Sequence, residues 1–149
     1  MKKFMQYISI QLGNKMERHD HVQSVLKKTG LTFTDHGENF SSLWKVNSAT
    51  KIRIIVAFDI HPDWVHVLCN IGPVAEYLPG ITTVLLRLNS AIIGSKFSLE
   101  QNYNIVCSSE INFIHLSEDY LKQRITQVVK MVTRFYESVE KENLKLNSA

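Results

Sequence analysis

The stretch Lys51-Ile52-Arg53-Ile54-Ile55-Val56-Ala57-Phe58-Asp59-Ile60 decides the fold. Ile52, Ile54, Val56, Phe58 and Ile60 alternate strictly, with Lys51, Arg53 and Asp59 on the other face. Alternation of period two marks a half-buried strand, and its polar second face suits an antiparallel sheet. Moving outward, Phe40, Ser42, Trp44 and Val46 share one face of a preceding strand, and Asn47 to Thr50 makes the polar turn between them. On the far side His61-Pro62-Asp63 turns the chain, because Pro presets a turn dihedral and Asp can bond its own backbone. Val65, Val67, Cys69 and Ile71 then form the buried face of a third strand. Three strands joined by short turns make a meander, which Gly72-Pro73 is expected to end.

Helical spacing flanks this meander. After Gly13 and Asn14, the positions Met16, His19, Val22, Val25 and Leu26 predict a helix stopped by Thr29-Gly30, with Gly30 where a left-handed cap would sit. From about Pro79, the stripe Ile81, Val84, Leu85, Leu88 and Ile92 predicts a second helix ending at Gly94. Phe97-Ser98-Leu99 and Tyr103, Ile105 and Cys107 form a second antiparallel pair about a polar turn. Ser117 suits an N-cap, and Glu118 and Asp119 place negative charge at a helix start. Leu121, Ile125, Val128, Val132, Phe135 and Val139 continue that helix to about Lys141. The predicted order is helix, three strands, helix, two strands, helix, which is α+β with the helices gathered on an antiparallel sheet. Residues 1–13 fit either a strand (Ile8, Ile10, Leu12) or a helix (Phe4, Ile8, Leu12) and are expected to be an extra strand or arm. Residues 14–142 form the core and 143–149 a tail, so that 1–149 is a single domain.

Composition agrees. The chain has 149 residues, 44% apolar, with six Gly and three Pro. That fits one domain of the usual roughly 100–200 residues and excludes collagen-like, low-complexity and wholly disordered chains. No run approaches the roughly 18 apolar residues of a membrane span. Lys plus Arg number 17 against 14 Asp plus Glu, a net charge of +3. The basic residues are spread along the sequence, pairing only at Lys2-Lys3 and Lys27-Lys28, so a solvated surface is expected, with no nucleic-acid or membrane partner. Gln6, Ser9 and Gln11 interrupt what would have to be the apolar stretch of a signal peptide. Cys69 and Cys107 lack CxxC spacing. A cytoplasmic setting with reduced thiols is expected.

A search for chemistry returns little. His19-Asp20-His21 is the tightest cluster, but side chains at i and i+2 of a helix point about 200° apart, unlike the i, i+4 pairs that bind zinc; a solvated helix face is expected. His66 reads as packed or partly exposed beside Trp64 and Leu68. His36, His61 and His115 fall in turns or strand ends. Both cysteines occupy apolar strand positions, where free thiols behave as small hydrophobes. Phosphate-binding glycine loops and the GxSxG elbow are absent. Trp44, Trp64, Tyr77 and Tyr103 lack the basic setting of a base-stacking strand. No catalytic residue, metal or cofactor is expected.

One resemblance adds to this reading. Leu85-Leu86-Arg87-Leu88-Asn89, then Lys96-Phe97-Ser98-Leu99, then Asn104-Ile105-Val106 and a long acid-capped last helix resemble the YbjN family. Leu26 and the Gly30-Leu31 stop fit as well, and the similarity covers about residues 15–142. Members are small bacterial proteins with the type III secretion chaperone-like fold, classed as candidate sensory-transduction regulators. The resemblance implies binding rather than catalysis: secretion chaperones of this fold are dimers that hold an extended segment of a client protein. Such chaperones tend to be acidic, whereas this chain carries +3. The expected function is therefore a non-enzymatic, chaperone-like module that binds an extended or amphipathic segment of a protein or peptide client; the alternative is a small-ligand-binding regulator. Leu86 and Ile93 lie off the stripe that seats the second helix. A helix apolar beyond one face is normally covered on both, so these two are the expected dimer or partner contacts of a homodimer.

Overall fold

The computed structural model describes residues 15–146. The elements are α1 (Lys15–Lys28), β1 (Thr34–Asp35), β2 (Asn39–Lys45), β3 (Lys51–His61), β4 (Trp64–Pro73), α2 (Ile81–Ala91), β5 (Lys96–Leu99), β6 (Asn104–Asn112) and α3 (Glu118–Glu142), with short 3₁₀ turns at Val74–Glu76 and Phe113–His115. The strands form one antiparallel sheet in the order β1-β2-β3-β4-β6-β5. The α+β class and the expected order of helices hold. The segment 1–13 expected as a strand or arm lies outside the described residues.

The core side of β3 carries Ile52, Ile54, Val56 and Phe58, all buried, opposite Val67 and beside Val65 and Cys69 of β4. Ile105, Cys107 and Ile111 of β6 continue this face. Across it lies α3, whose Leu121, Ile125, Val128, Met131, Val132, Phe135 and Val139 are buried. Each such side chain stabilises the fold by about 1.5–3 kcal/mol relative to exposure. Ser117 starts α3 by accepting the Tyr120 N–H at 3.2 Å. Asn143, at φ 52°, ends it in the left-handed conformation, and the Leu144 N–H bonds back to the Val139 carbonyl at 3.0 Å.

Four differences from the sequence reading have physical causes. The first is β1, which has two residues, too few to show a period. The second concerns the meander: β6 pairs along β4 from Trp64↔Asn112 to Pro73↔Asn104, so Gly72-Pro73 ends a strand and not the sheet. The third is Ile60, expected on the buried face but 59% exposed. The register slips between Ala57 and His61, and a bulge exchanges the faces of whatever follows it. Lastly, the expected tail at 143–149 is not free in its first residues. Leu78 N–H donates to Leu144 O at 2.6 Å, Leu146 N–H donates to Glu76 O at 2.9 Å, and Tyr77 pairs with Lys145. Residues 147–149 lie outside the described residues.

Candidate interaction surface

α2 buries Ile81, Val84, Leu85 and Leu88, while Leu86 is 72% and Ile93 92% exposed. Both expected contact residues are thus left in solvent. The helix expected to run to Gly94 ends at Ala91 because Ile92 is extended, so Leu86 lies on α2 and Ile93 in the turn before β5. Ile93 is not on a loose loop. The next residue, Gly94, has φ 96°, a conformation that only glycine adopts at no steric cost. Its carbonyl accepts from Ser109 Oγ and, at 3.1 Å, from an Arg124 guanidinium nitrogen. Ser95 is buried, its hydroxyl 2.8 Å from Met131 Sδ. Asn89 donates to the Phe97 carbonyl at 3.0 Å and accepts its N–H at 2.7 Å, tying the end of α2 to β5. Beside Leu86, Arg87 pairs with Glu142 at 2.9 Å. β5 is an edge strand, and Leu99 at its end is exposed.

The other edge is only partly covered. β1 pairs at Thr34↔Ser41 and Asp35↔Phe40, so that among the described residues Ser42 to Lys45 of β2 have no partner strand on that side. His19 secures β1: Nε2 bonds Asp35 at 2.7 Å, Nδ1 meets Asp20 at 3.1 Å, and the ring stacks on Phe40 with centroids 5.1 Å apart. The Asp20 hydrogen bond raises the His19 pKa most, with Asp35 adding to it against the opposing effect of desolvation. His21 lies 6.3 Å from the Phe113 ring, and burial lowers its pKa, with Lys28 adding to the effect. The expected solvated face at His19-Asp20-His21 therefore holds only for Asp20. β1 and the turn at Phe113 flank the two histidines, an outcome that helix spacing alone does not contain. Met16, placed in the apolar stripe by spacing, is exposed.

The remaining described histidines sit among local partners. His66 is half-buried, and burial lowers its pKa most. Its neighbour across the strands, Glu110, pairs with Lys96 at 3.4 Å. His36 bonds Ser41 Oγ at 2.6 Å, and His61 accepts the Asp63 N–H at 3.1 Å. Among the described residues no three His, Cys, Asp or Glu side chains group to hold a metal ion. A cleft of about 700 Å³ lies between the β2–β3 turn, residues 76–77 and the end of α3, lined among others by Lys51, Glu76, Tyr77, Tyr136, Glu140 and Lys145. Sequence reading missed this cleft because its walls come from three distant segments. No helix of the described residues is long and apolar enough to cross a membrane.

Comparison with known proteins places the fold. No family model matches the sequence, and no curated protein sequence does. Solved structures match in shape. YbjN from E. coli, described as a candidate transcription regulator, superposes with a TM-score of 0.59 at 13% identity, over 86% of this chain and 95% of that one. A chain of the HopA1–SchA chaperone–effector complex gives 0.59 at 14% identity, over 80% and 96%. An uncharacterised protein from Methanothermobacter thermautotrophicus gives 0.53 at 18%, over 83% and 97%. The architecture is thus the YbjN-type, type III secretion chaperone-like fold, as the resemblance implied.

Proposed function

We propose that this chain is a non-enzymatic, cytoplasmic protein-interaction module that acts as a homodimer and holds an extended or amphipathic segment of a partner protein. The observation that carries the reading is the pair Leu86 and Ile93. Leu86 stands in water on a helix already seated by its opposite face, and the fixed Gly94 turn beyond that helix presents Ile93. Aliphatic side chains of this size are what the buried core of an interface would cover. The edges of β5 and β2, open among the described residues, supply backbone groups for pairing with an extended segment. The chaperone–effector complex among the structural neighbours supports the same class of role.

Light scattering across a dilution series tests the assembly. The expected result is a dimer that dissociates on dilution, and a monomer at all concentrations for Leu86→Glu combined with Ile93→Glu. A monomeric parent, or a dimer indifferent to both charges, overturns the proposal.

A second reading, a small-ligand regulator, draws on the cleft beside Tyr77 and Tyr136. Its polar lining suits a small polar molecule better than an apolar segment. Binding of a polar metabolite that shifts Tyr136 resonances, and is lost in Tyr136→Phe, would favour it.

A further inference from the structure

All three described helices pack on one face of the sheet; no described element covers the other face, which is unevenly charged. On it Lys45 of β2 stands directly opposite Lys51 of β3, and Leu43 opposite Arg53. All three cations are exposed, and none forms an ion pair with a described residue. Arg53 reaches only the Ser41 hydroxyl, at 3.3 Å. Like charges directly opposite each other across a strand pair destabilise a sheet, so the bare molecule holds Lys45 and Lys51 against their mutual repulsion. Next to this basic corner the same face turns aliphatic. Ile55 lies directly opposite Leu68, with Val106 one strand further on the same side and Leu43 62% exposed beside Arg53. Few carboxylates stand on the face itself: Glu110 is engaged by Lys96, and Glu100 stands at the far margin with Val106. Glu76 and Glu140 share the neighbouring cleft with Lys51.

We propose that this face, open among the described residues, binds an acidic, extended peptide segment of the partner, its carboxylates over Lys45, Lys51 and Arg53 and its apolar residues over Ile55 and Leu68. The proposal rests on the reading of the chain as a protein-interaction module and supplies the chemistry of the client. Charge complementarity identifies the occupant. In an extended chain every second side chain points to the same side, so a segment with acidic residues at i, i+2 and i+4 and aliphatic residues at i+6, i+8 and i+10 presents both kinds of group to this surface. A nucleic acid fits less well: the residues between the cations and the centre of the face are aliphatic, and single-strand binders stack bases on aromatic rings.

The test uses the full chain and four fluorescein-labelled probes at low and physiological salt. Three are twelve-residue peptides with Glu, Ser or Lys at positions 2, 4 and 6, Leu at positions 8, 10 and 12, and Thr elsewhere; the fourth is a single-stranded oligonucleotide. The Glu–Leu peptide is expected to bind, to weaken as salt rises, and to lose at least about tenfold in affinity in Lys45→Glu combined with Lys51→Glu. Lys45→Ala combined with Lys51→Ala should fall between. Both variants should melt no lower than the parent, because the substitutions relieve a repulsion. Equal binding of the Ser–Leu peptide, insensitive to charge reversal, overturns the acidic assignment and leaves the module reading standing. Binding of the oligonucleotide in place of the peptide overturns both, as does the failure of every peptide to bind.

Discussion

Asn89 holds Phe97 by both of that residue's backbone groups, donating to its carbonyl at 3.0 Å and accepting its N–H at 2.7 Å. A side-chain amide here does what a neighbouring strand does elsewhere in the sheet: it satisfies a donor and an acceptor of one residue together. β5 has only four residues and one partner strand, so this clamp is a large share of what fixes it. Asn89 also closes the Leu85–Asn89 motif on which the family resemblance rested, and its structural task is now plain.

Asn89→Ala should therefore cost about 1–3 kcal/mol, the penalty of leaving a half-buried donor and acceptor unmet. Amide exchange at Phe97 should quicken far more than at Ile54. Unchanged exchange at Phe97 would show that β6 alone secures the strand.

His19 predicts a pH dependence. Its folded-state pKa is raised above the ordinary 6.5, so its contribution to stability is fully present below about 6.5 and is lost as pH rises through the folded value. Asp35 is shifted the other way, chiefly by the Gly37 N–H bond and then by His19, so its contribution disappears at strongly acid pH. The melting-temperature gap between the parent and His19→Gln should be wider at pH 5.5 than at pH 8.5. A gap of the same size at both pH values would show that the ring acts by packing on Phe40 alone.

Cys69 and Cys107 are cross-strand partners at the centre of the core, both thiols free and buried. Burial pushes Cys69 up to about 12 and raises Cys107 further, with Cys69 itself adding to the effect. The thiolate is the reactive form. Iodoacetamide at pH 8 should therefore leave both unlabelled in the folded protein and label both in denaturant. Raised folded values also mean that stability falls once pH passes about 8.5, where unfolded thiols ionise and folded ones do not. Fast native-state labelling of either cysteine would contradict its burial.

Val132 is fully buried where α3 crosses the sheet. Val132→Asp should cost about 3 kcal/mol or more, since a carboxylate there has no partner. Urea denaturation gives the number. A midpoint equal to that of the parent would mean that this stretch of α3 is not seated on the sheet.

The long periodic elements were legible in the sequence. α3 and β3 announce themselves because one face of each is apolar over many residues, and Ser117 marks its cap by residue type. What stayed hidden arises from pairing between strands distant in sequence. Cys69 and Cys107 read as two unrelated apolar positions until β6 is laid against β4. The basic residues look scattered along the chain, yet Lys45 and Lys51 meet because β2 and β3 pair across the turn between them, with Lys45 opposite Lys51. Ile60 was misplaced by a bulge, which strict alternation cannot foresee. Leu86 and Ile93 could be named from helical spacing, but the Gly94 anchor behind Ile93 depends on Ser109 and Arg124, both distant in sequence.

α3 is also the last described helix to be synthesised, and it supplies the layer against which β4 and β6 bury their apolar side chains. Ribosomes add roughly 5–20 residues per second, so the 25 residues of α3 take about 1–5 seconds to make. For that interval the nascent sheet carries an uncovered apolar face wide enough to recruit a holdase or to stick to a neighbouring nascent chain. The order of elements along the chain thus makes the birth of this protein its most aggregation-prone moment, and slow translation through residues 118–142 would lengthen the exposure.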